Sequence, residues 1–469
     1  MSRFKLKKMK KVTLFVLFCA ISLPNFSQSL GYEDLSILFS KDNNTGTARF
    51  NAMSGAFGAL GGDVSALKIN PASGAVFKSS FFTTSLNSRS SDITTNYYGN
   101  SSPTHEDYFN FSQAGAVFVY TNYRDNNWSK FAFSLNYSIR NDFDRNLLAN
   151  GNSGFATFTE FPLDNGNPKV QYTNSDSQQF STTYKGKIEE YNFAISGVYQ
   201  NDLYLGAAIN TYDLRFSQQS FLKEQNNDGS GNVLNATFYQ ENNTSGTGFS
   251  LSAGAIYKAS KNLRFGFSYQ TPIWFTEINE ETNILNNDGF LGDTEITASN
   301  NNIIYDNTSG NYFPVQAFSY KLKTPGKTTA SIAYIFGKKG LISADYTLNN
   351  YKNMKLSNGN FTTENQFFNN NLRNTYTLNI GAEWRFKSLS LRGGYHYSQS
   401  PDANAIESDN IKGYSYGAGY SFGNVKLDFS YQNKSNSQLY NFYPQYNQVN
   451  AAISTFDNRI LTATLSINL

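Results

Sequence analysis

Apolar and polar residues alternate along most of the chain from about residue 79 onwards. Between residues 131 and 139, one face carries only Phe, Leu, Tyr and Ile, whereas the other carries Ala, Ser and Asn. A period of two residues is typical of β-strands whose two faces meet different surroundings. The pattern predicts about fourteen strands, at residues 79–87, 111–121, 130–140, 189–200, 202–215, 245–258, 261–273, 326–337, 340–351, 372–387, 388–398, 410–422, 424–433 and 457–469.

The connections between these strands decide between two β architectures, because a soluble sandwich would also alternate. Short connections with turn-forming residues, such as Asn201-Asp202 and Gly423-Asn424, alternate with long polar ones. Tight turns at one end, long loops at the other and an even strand number are typical of bacterial outer-membrane barrels. The long connections lie at 88–110, 141–188, 216–244, 274–325, 352–371, 399–409 and 434–456.

The sequence therefore predicts an all-β fold, in which residues 79–469 form a transmembrane antiparallel β-barrel with long extracellular loops. Its place would be the outer membrane of a Gram-negative bacterium, surrounded by that membrane's lipids. The composition agrees, since 16% charged and 16% aromatic residues with a mean hydropathy of −0.48 are too polar for helical membrane spans and too aromatic for disorder.

Residues 1–27 predict a signal peptide: a basic start is followed by an apolar stretch too short to cross a bilayer as a helix. Its removal takes six of the 38 Lys and Arg and none of the 35 Asp and Glu, so the net charge changes from +3 to −3. No nucleic-acid partner is therefore expected. The single cysteine, Cys19, lies in this segment, and only His105 and His396 remain as strong metal ligands. We expect no disulfide, metal site or cofactor.

Residues 28–78 do not alternate and contain a stretch rich in Gly and Ala from Thr47 to Ala72. Such a segment could hang in the periplasm or fold into the barrel lumen as a plug. Small residues suit close backbone packing in a confined space, and a lumen of this width would leak without a plug. The alternative of a phosphate-binding loop is weak, because the glycine spacing differs from the P-loop motif. The glycines concerned are Gly55, Gly58, Gly61 and Gly62.

Several of these residues give the chain a family resemblance. Arg49, the stretch from Gly55 to Asp63, and Asn70-Pro71-Ala72 before the first strand resemble the N-terminal hatch of the FadL/TodX family of outer-membrane transporters for long-chain fatty acids and hydrocarbons. Segments 323–325, 341–351, 392–401 and 414–431 resemble that family too. The resemblance implies a fourteen-stranded barrel with a small hatch in its lumen, whose gate residues here would be Arg49, Gly55, Gly58, Gly61, Gly62, Asp63, Asn70, Pro71 and Ala72.

Two departures from the family matter. The chain ends in Leu469 where many barrels end in Phe, and the connection 141–188 is long for its position. Because loops set ligand contacts, the second departure leaves the ligand open between a fatty acid, a hydrocarbon and haem.

Charged residues at inward positions of the strands admit two interpretations. Arg264 and Arg392 could belong to a paired network that holds the hatch to the wall, together with Arg49 or Asp63. Alternatively, either arginine could bind the carboxylate of an amphipathic ligand, since a guanidinium stays charged and can contact both oxygens. Apolar residues of the long connections could receive the ligand's tail or merely pack the loops; these are Trp274, Phe275 and Phe313.

The predicted function is passive outer-membrane transport of small hydrophobic molecules through a hatch-gated barrel. An interaction barrel that docks secretion-system proteins is the alternative, because long Asn-rich loops could bind protein as well as lipid. A general porin is disfavoured by the hatch. Catalysis is disfavoured because neither histidine accompanies a nucleophile motif such as GxSxG.

Overall fold

A computed structural model describes residues 30–122, 127–161, 164, 166–286, 295–298, 301–304, 316–443 and 446–469. Side chains are described within these ranges except at 284–286, 295–298, 301–304 and 316. The predicted signal peptide, residues 1–27, and the candidate Phe313 lie outside the described residues.

The described residues form twenty strands, three α-helices and four 3-10 helices. The strands are β1 (Phe81–Tyr97), β2 (Asn100–Thr121), β3 (Trp128–Asp142), β4 (Arg145–Gly151), β5 (Asn174–Tyr199), β6 (Leu203–Asn227), β7 (Val233–Lys258), β8 (Leu263–Gln270), β9 (Trp274–Asn286), β10 (Glu295–Ala298), β11 (Asn301–Ile304), β12 (Gln316–Lys323), β13 (Lys327–Ile335), β14 (Gly340–Asn349), β15 (Lys355–Ser357), β16 (Thr375–Phe386), β17 (Leu389–Ser398), β18 (Ile411–Ser421), β19 (Val425–Tyr440) and β20 (Ala452–Asn468). The α-helices are α1 (Tyr32–Ser40), α2 (Ala48–Ala52) and α3 (Thr362–Asn371), and the 3-10 helices are Val64–Lys68, Pro71–Val76, Tyr351–Asn353 and Glu407–Asp409.

Apart from β10 and β11, which form a separate two-stranded sheet, these strands close into one antiparallel barrel of fourteen wall positions. The ring closes where β1 pairs with β20, from Phe81 opposite Asn468 to Asn96 opposite Ile453. Some wall positions are shared by two consecutive strands, as with β8 and β9 or with β12 and β13. Closure pairs the backbone of both edge strands, which a sheet in lipid requires. The predicted fold class is confirmed.

Several predicted loops are instead strand. The strands β5, β6 and β7 are 26, 25 and 26 residues long, so most of the predicted connection 216–244 belongs to β6 and β7. Likewise β1 and β2 fill 88–110 apart from the turn at Tyr98 and Gly99. The physical reason is that these segments extend beyond the apolar part of the wall. Their outward positions are polar there, and the alternation that reveals a membrane strand disappears although the hydrogen-bond ladder continues.

The outward face of the lower wall is apolar and the inward face is small and polar. On β3, the outward Phe131 and Phe133 are 43% and 45% exposed, while the inward Ser134 is fully buried. The same division holds on β8, where Phe265 and Phe267 point outwards and Ser268 points inwards. Within the described residues, no helix has the length and apolar character that a membrane crossing would need.

Residues 30–78 lie inside the barrel and contact opposite sides of its wall. The backbone N–H of Ala48 donates to Thr464 of β20 over 2.7 Å, while that of Gly58 donates to Asp345 of β14 over 2.9 Å. Helix α1 lies at the end of the lumen that carries the long loops, and the chain then descends to β1 through α2 and two 3-10 helices. We call residues 41–78 the plug; the exact limits of the predicted hatch, 28 and 78, stay a prediction.

Candidate functional site

The plug fits against glycines of the wall. A Cβ at Gly206 would lie 2.5 Å from the carbonyl carbon of Pro71, and one at Gly394 would lie 2.6 Å from that of Met53. A Cβ at Gly381 would also lie 2.6 Å from Met53. Real Cβ atoms essentially never approach other atoms so closely, so the plug backbone occupies space that any side chain would fill. This complementarity holds the plug in one position.

Asn70, Pro71 and Ala72 join the plug to the wall. The Asn70 amide nitrogen donates to the carbonyl oxygens of Gly58, 2.8 Å away, and Ala255 of β7, 3.0 Å away. Its oxygen accepts from the Ala72 N–H over 3.1 Å, which caps the 3-10 helix that Pro71 begins. One buried side chain thus links two plug segments and a wall strand.

A buried ion-pair cluster ties α2 to the wall. Glu383 of β16 accepts from Arg49 Nε over 2.8 Å and from Arg392 Nε over 2.7 Å. Arg392 also pairs with Asp428 of β19 over 2.7 Å. Arg385 makes a further pair with Glu383. Buried charges are tolerable only when they are paired in this way, so the cluster couples the plug to the wall strands β16, β17 and β19.

The remaining predicted gate residues lie in the same layer. Asp63 accepts from Thr47 Oγ1 over 2.8 Å and from the Ser65 N–H over 2.9 Å. Gly55, Gly61 and Gly62 have φ values of 79°, 58° and 67°, a region that favours glycine because a Cβ would clash with the backbone. These residues shape the turns that bring the plug back onto itself.

Arg264, the other predicted ligand-binding arginine, also faces the plug. Its Nη1 donates to the carbonyl oxygen of Leu60 over 2.9 Å. Arg264 and Arg392 therefore contact the plug or its wall partners, and their role in binding a ligand stays a prediction. Phe275 is buried in the apolar core around α1, whereas Trp274 packs on Phe249 at a ring distance of 5.3 Å on the outward face.

A cavity of about 810 Å³ lies above the plug, at the end of the barrel that carries the long loops. Helix α1 forms one side of the cavity, and β4, β5, α3, β19 and β20 form the others. Its apolar lining includes Leu30, Ile37, Leu38, Leu147, Phe367, Leu372, Leu439 and Phe456. Concave, mostly apolar pockets of this size are the usual form of a small-molecule site. We call it the upper cavity.

Two cations line the upper cavity without a carboxylate partner. Arg145 lies between the rings of Tyr184 and Phe456, 4.8 and 5.6 Å from their centroids, and its Nε is buried without a hydrogen-bond partner. Within the described part of the chain, neither Arg145 nor Lys41 has a carboxylate within ion-pair distance. A buried unpaired cation is costly and calls for an anion. The cavity therefore combines an apolar wall with two cations, and the carboxylates of Glu33, Asp34, Asp402 and Asp409 also line it.

The titration of α1 residues fits this arrangement. Burial lowers the pKa of Lys41 to about 8, because the wall removes its ammonium group from water. Asp34 is exposed to the upper cavity, and the surrounding protein together with the neighbouring Glu33 raises its pKa to about 6. At neutral pH Arg145 and most of Lys41 are therefore positively charged, and the largely ionised Asp34 offsets part of that charge.

The sequence did not single out Arg145, Lys41 or Asp34. Arg145 falls in the long connection 141–188, where its neighbourhood depends on contacts with strands that are distant along the chain. Helix α1 offers a usable signal, since Leu35, Leu38 and Phe39 recur at helical spacing. That pattern predicts a buried helix but not what it faces.

No group of three or more His, Cys, Asp and Glu that could hold a metal ion occurs among the residues the structure describes. The inward His396 donates from Nδ1 to the Asn379 amide oxygen over 2.6 Å, and His105 lies exposed beside Asp92 and Asp107.

Comparison with known proteins gives one family and several structures of the same fold. The family described as outer membrane protein transport protein (OMPP1/FadL/TodX) matches residues 37–441. A Pseudomonas aeruginosa FadL homologue superposes with a TM-score of 0.60 at 16% identity, covering 92% of this chain and 99% of its own.

Two further structures, both described as toluene transporters, superpose less closely. The Pseudomonas putida TodX has a TM-score of 0.52 at 12% identity, covering 92% of this chain and 100% of its own. The Ralstonia pickettii TbuX has a TM-score of 0.51 at 16% identity, covering 91% and 99%. At these identities the likeness concerns the fold. No curated protein matches the sequence.

Proposed function

Because this chain belongs to the outer membrane protein transport protein family (OMPP1/FadL/TodX), we propose that it carries hydrophobic molecules with an anionic head group, such as long-chain fatty acids, passively across the outer membrane. The family consists of outer-membrane transport proteins rather than enzymes. The observation that carries the proposal is the upper cavity, where Arg145 and Lys41 stand among apolar residues and, in the described part of the chain, form no ion pair with the four carboxylates that also line it.

The ligand's tail would lie along the apolar side of α1, against Leu147 and Phe456. Its head group would lie between Arg145 and Lys41, where the guanidinium can donate two parallel hydrogen bonds to a carboxylate. Burial of a twelve-carbon tail would contribute about 0.8 kcal/mol for each CH₂ removed from water. The head group would fix the orientation, and the tail would supply most of the affinity.

The way out of the upper cavity is proposed to lie sideways through the wall. Backbone pairing of β2 with β3 runs only from Gln113 and Ser138 to Thr121 and Lys130. Beyond that point side chains make the contacts: Asn110 of β2 donates to Asp142 of β3 over 2.9 Å, and Arg89 of β1 pairs with the same carboxylate over 3.0 Å. Thr104 of β2 donates to the Asn146 carbonyl oxygen of β4 over 2.6 Å. Side-chain bridges separate more easily than a continuous ladder, and β4 beyond this break also lines the cavity.

A downward route would require the plug to move. The plug is held by the Glu383 cluster, by Asn70 and by the close approach to wall glycines, so this step would be the slower of the two. Neither the family nor the described geometry supports the alternative of docking secretion-system proteins. The toluene transporters among the similar structures favour a neutral aromatic ligand as the second candidate.

The experiment compares three twelve-carbon probes that differ in their heads. Dodecyl sulfonate is anionic at all relevant pH values, dodecanol is neutral and dodecyltrimethylammonium is cationic. Calorimetric titration of the purified protein in a nonionic detergent should give the tightest binding for the sulfonate. The variant Arg145→Met keeps the volume of the side chain and should weaken sulfonate binding about 10- to 100-fold, because it removes a charge-assisted contact.

The control Lys261→Met removes an exposed cation at the short-turn end and should leave binding unchanged. Equal affinity for the sulfonate and the alcohol, with no effect of Arg145→Met, would reject an anionic ligand and favour a neutral hydrocarbon.

A further inference from the structure

A second concave site lies on the outward surface of the barrel, away from the upper cavity. It is a groove of about 540 Å³ across β5, β6, β7, β9 and β12. Unlike the apolar wall below it, this groove presents polar and charged side chains, including Lys185, Arg215, Ser217, Asn243 and Asn279. We call it the outer groove.

The strand register fixes the height of the outer groove relative to the membrane. Tyr191 lies opposite Thr211, which lies opposite Phe249, which lies opposite Trp274. This outward row carries three aromatic side chains, as the girdle at a membrane interface does. Below it the outward face is apolar, with Phe193, Ile195 and Leu251 exposed.

The charged rows follow directly above this girdle. Lys187 lies opposite Arg215, and the same row continues through Ser245 and Asn279 to Ser319. Four residues separate Tyr191 from Lys187, or about 13 Å along the strand. The head groups add about 5–8 Å on each side of the hydrocarbon core. On strands tilted by about 40° this row lies about 10 Å above the girdle, at the outer edge of the head-group layer.

Two cations, Lys185 and Arg215, line the outer groove, and Lys187 lies beside it, opposite Arg215. Lys187 pairs with Glu189 over 2.9 Å and Arg215 pairs with Asp213 over 3.0 Å, so the carboxylates nearer the membrane hold both cations in place. The Arg215 side chain is 73% exposed, and only its Nη2 donates to Asp213. Lys185, one row higher, has no carboxylate within ion-pair distance among the residues with described side chains.

Neutral hydrogen-bonding groups continue the groove away from the cations. Ser217, Asn243, Ser245 and Asn279 offer hydroxyl and amide groups that can both donate and accept. Glu281 closes the far side, which disfavours a long polyanion and limits the anionic part of a ligand to the side of Lys185 and Arg215. A sugar with a phosphate at one end matches this order of cations, amides and hydroxyls.

We propose that the outer groove binds the phosphorylated saccharide head group of a glycolipid in the outer leaflet. The phosphate would contact Lys185, Lys187 and Arg215, and the sugar hydroxyls would contact the serine and asparagine side chains. The acyl chains would then descend past Trp274 and Phe249 along the apolar wall. A lipid would contact both the polar groove and the apolar wall below it, whereas a free sugar phosphate would contact only the groove.

The tryptophans allow a direct test. Trp274 lies at the girdle beneath the outer groove, while Trp128 and Trp384 lie near short turns at the other end of the barrel. With Trp128→Phe and Trp384→Phe in place, Trp274 alone reports on the groove. The protein is placed in phosphatidylcholine nanodiscs that contain lipid A, a glucosamine disaccharide bisphosphate, with a fluorescence acceptor on one acyl chain. Energy transfer from Trp274 then measures binding.

The triple variant Lys185→Gln, Lys187→Gln, Arg215→Gln should weaken lipid A binding about a hundredfold, given the usual contribution of each cation at a membrane surface. The matched control Lys261→Gln, Lys338→Gln, Lys339→Gln removes the same charge from exposed sites at the short-turn end and should change binding less than twofold. Circular dichroism and heat-dependent gel mobility check that both variants are folded.

Three results would overturn the proposal. The first is equal binding by the wild type and the groove variant, and the second is equal binding of lipid A and its dephosphorylated form. The third is displacement of lipid A by a similar concentration of inorganic phosphate, which would show that the groove takes a free anion rather than a lipid head group.

Discussion

The plug and the upper cavity lie one above the other in the same lumen, but they differ in how their charged side chains are paired. In the plug layer Arg49 and Arg392 share Glu383 within 2.8 Å, Arg264 donates to a plug carbonyl oxygen, and the plug backbone fills the space beside wall glycines. In the upper cavity, Arg145 and Lys41 line about 810 Å³ of space together with four carboxylates, and neither cation has a carboxylate within ion-pair distance among the described side chains. A paired, packed layer is suited to closing a barrel, and an unpaired, open one is suited to binding an anion.

This comparison predicts that the largest effect on stability comes from the centre of the plug layer. Glu383→Gln keeps the shape of the side chain but leaves the guanidinium groups of Arg49 and Arg392 without their shared carboxylate. The free energy of unfolding should fall by about 3–5 kcal/mol, and the barrel should leak small hydrophilic solutes. Denaturant unfolding and single-channel conductance measure the two effects.

Glu407 provides the control, since it pairs with Lys412 at the exposed loop end. Glu407→Gln should alter neither unfolding nor conductance. An unchanged conductance in Glu383→Gln would mean that the cluster does not hold the plug.

The next effect concerns the junction of plug and wall. Asn70→Ala removes two donated hydrogen bonds and one cap, and should destabilise the plug by about 1–3 kcal/mol. We expect a raised leak of hydrophilic solutes at unchanged barrel levels in the outer membrane. The exposed Asn404→Ala is a matched change. If both variants leaked equally little and took up ligand equally well, the tripeptide 70–72 would be an ordinary turn.

A smaller effect on stability should distinguish Arg264 from Arg145. Arg264→Met removes one hydrogen bond to the Leu60 carbonyl oxygen, worth about 1.5–3 kcal/mol for a charged donor. Its result should be a slightly leaky barrel with dodecyl sulfonate affinity within twofold of the wild type. A loss of affinity as large as that of Arg145→Met would show instead that Arg264 binds the ligand.

The plug and the upper cavity also differ in how far the sequence predicts them. Alternation and turn residues predicted the fourteen-stranded barrel, and the glycine-rich stretch before Asn70 predicted the hatch, because both signals are local. The upper cavity depends on α1 meeting β4, β5 and β20, which no local pattern encodes. The lengths of β5, β6 and β7 were missed because alternation reports the membrane, and these strands continue beyond it.

The smallest predicted effect is on pH dependence. As pH rises through about 6, Asp34 ionises and adds a negative charge to the upper cavity. As it rises further through about 8, Lys41 loses its proton and a positive charge disappears. Both changes should weaken binding of dodecyl sulfonate, by a few-fold at each step. Asp34→Asn should remove the lower step and leave the upper one. An affinity that does not change between pH 5 and pH 9 would contradict this assignment.

The most direct test of the account is to locate a bound ligand. A crystal structure with a fatty acid that carries bromine at the end of its tail would show the tail position by anomalous scattering. The account predicts the bromine among the apolar residues of the upper cavity and the carboxylate within hydrogen-bond distance of Arg145. A carboxylate bound to Arg392 or Arg264 in the plug layer, with the upper cavity empty, would contradict it.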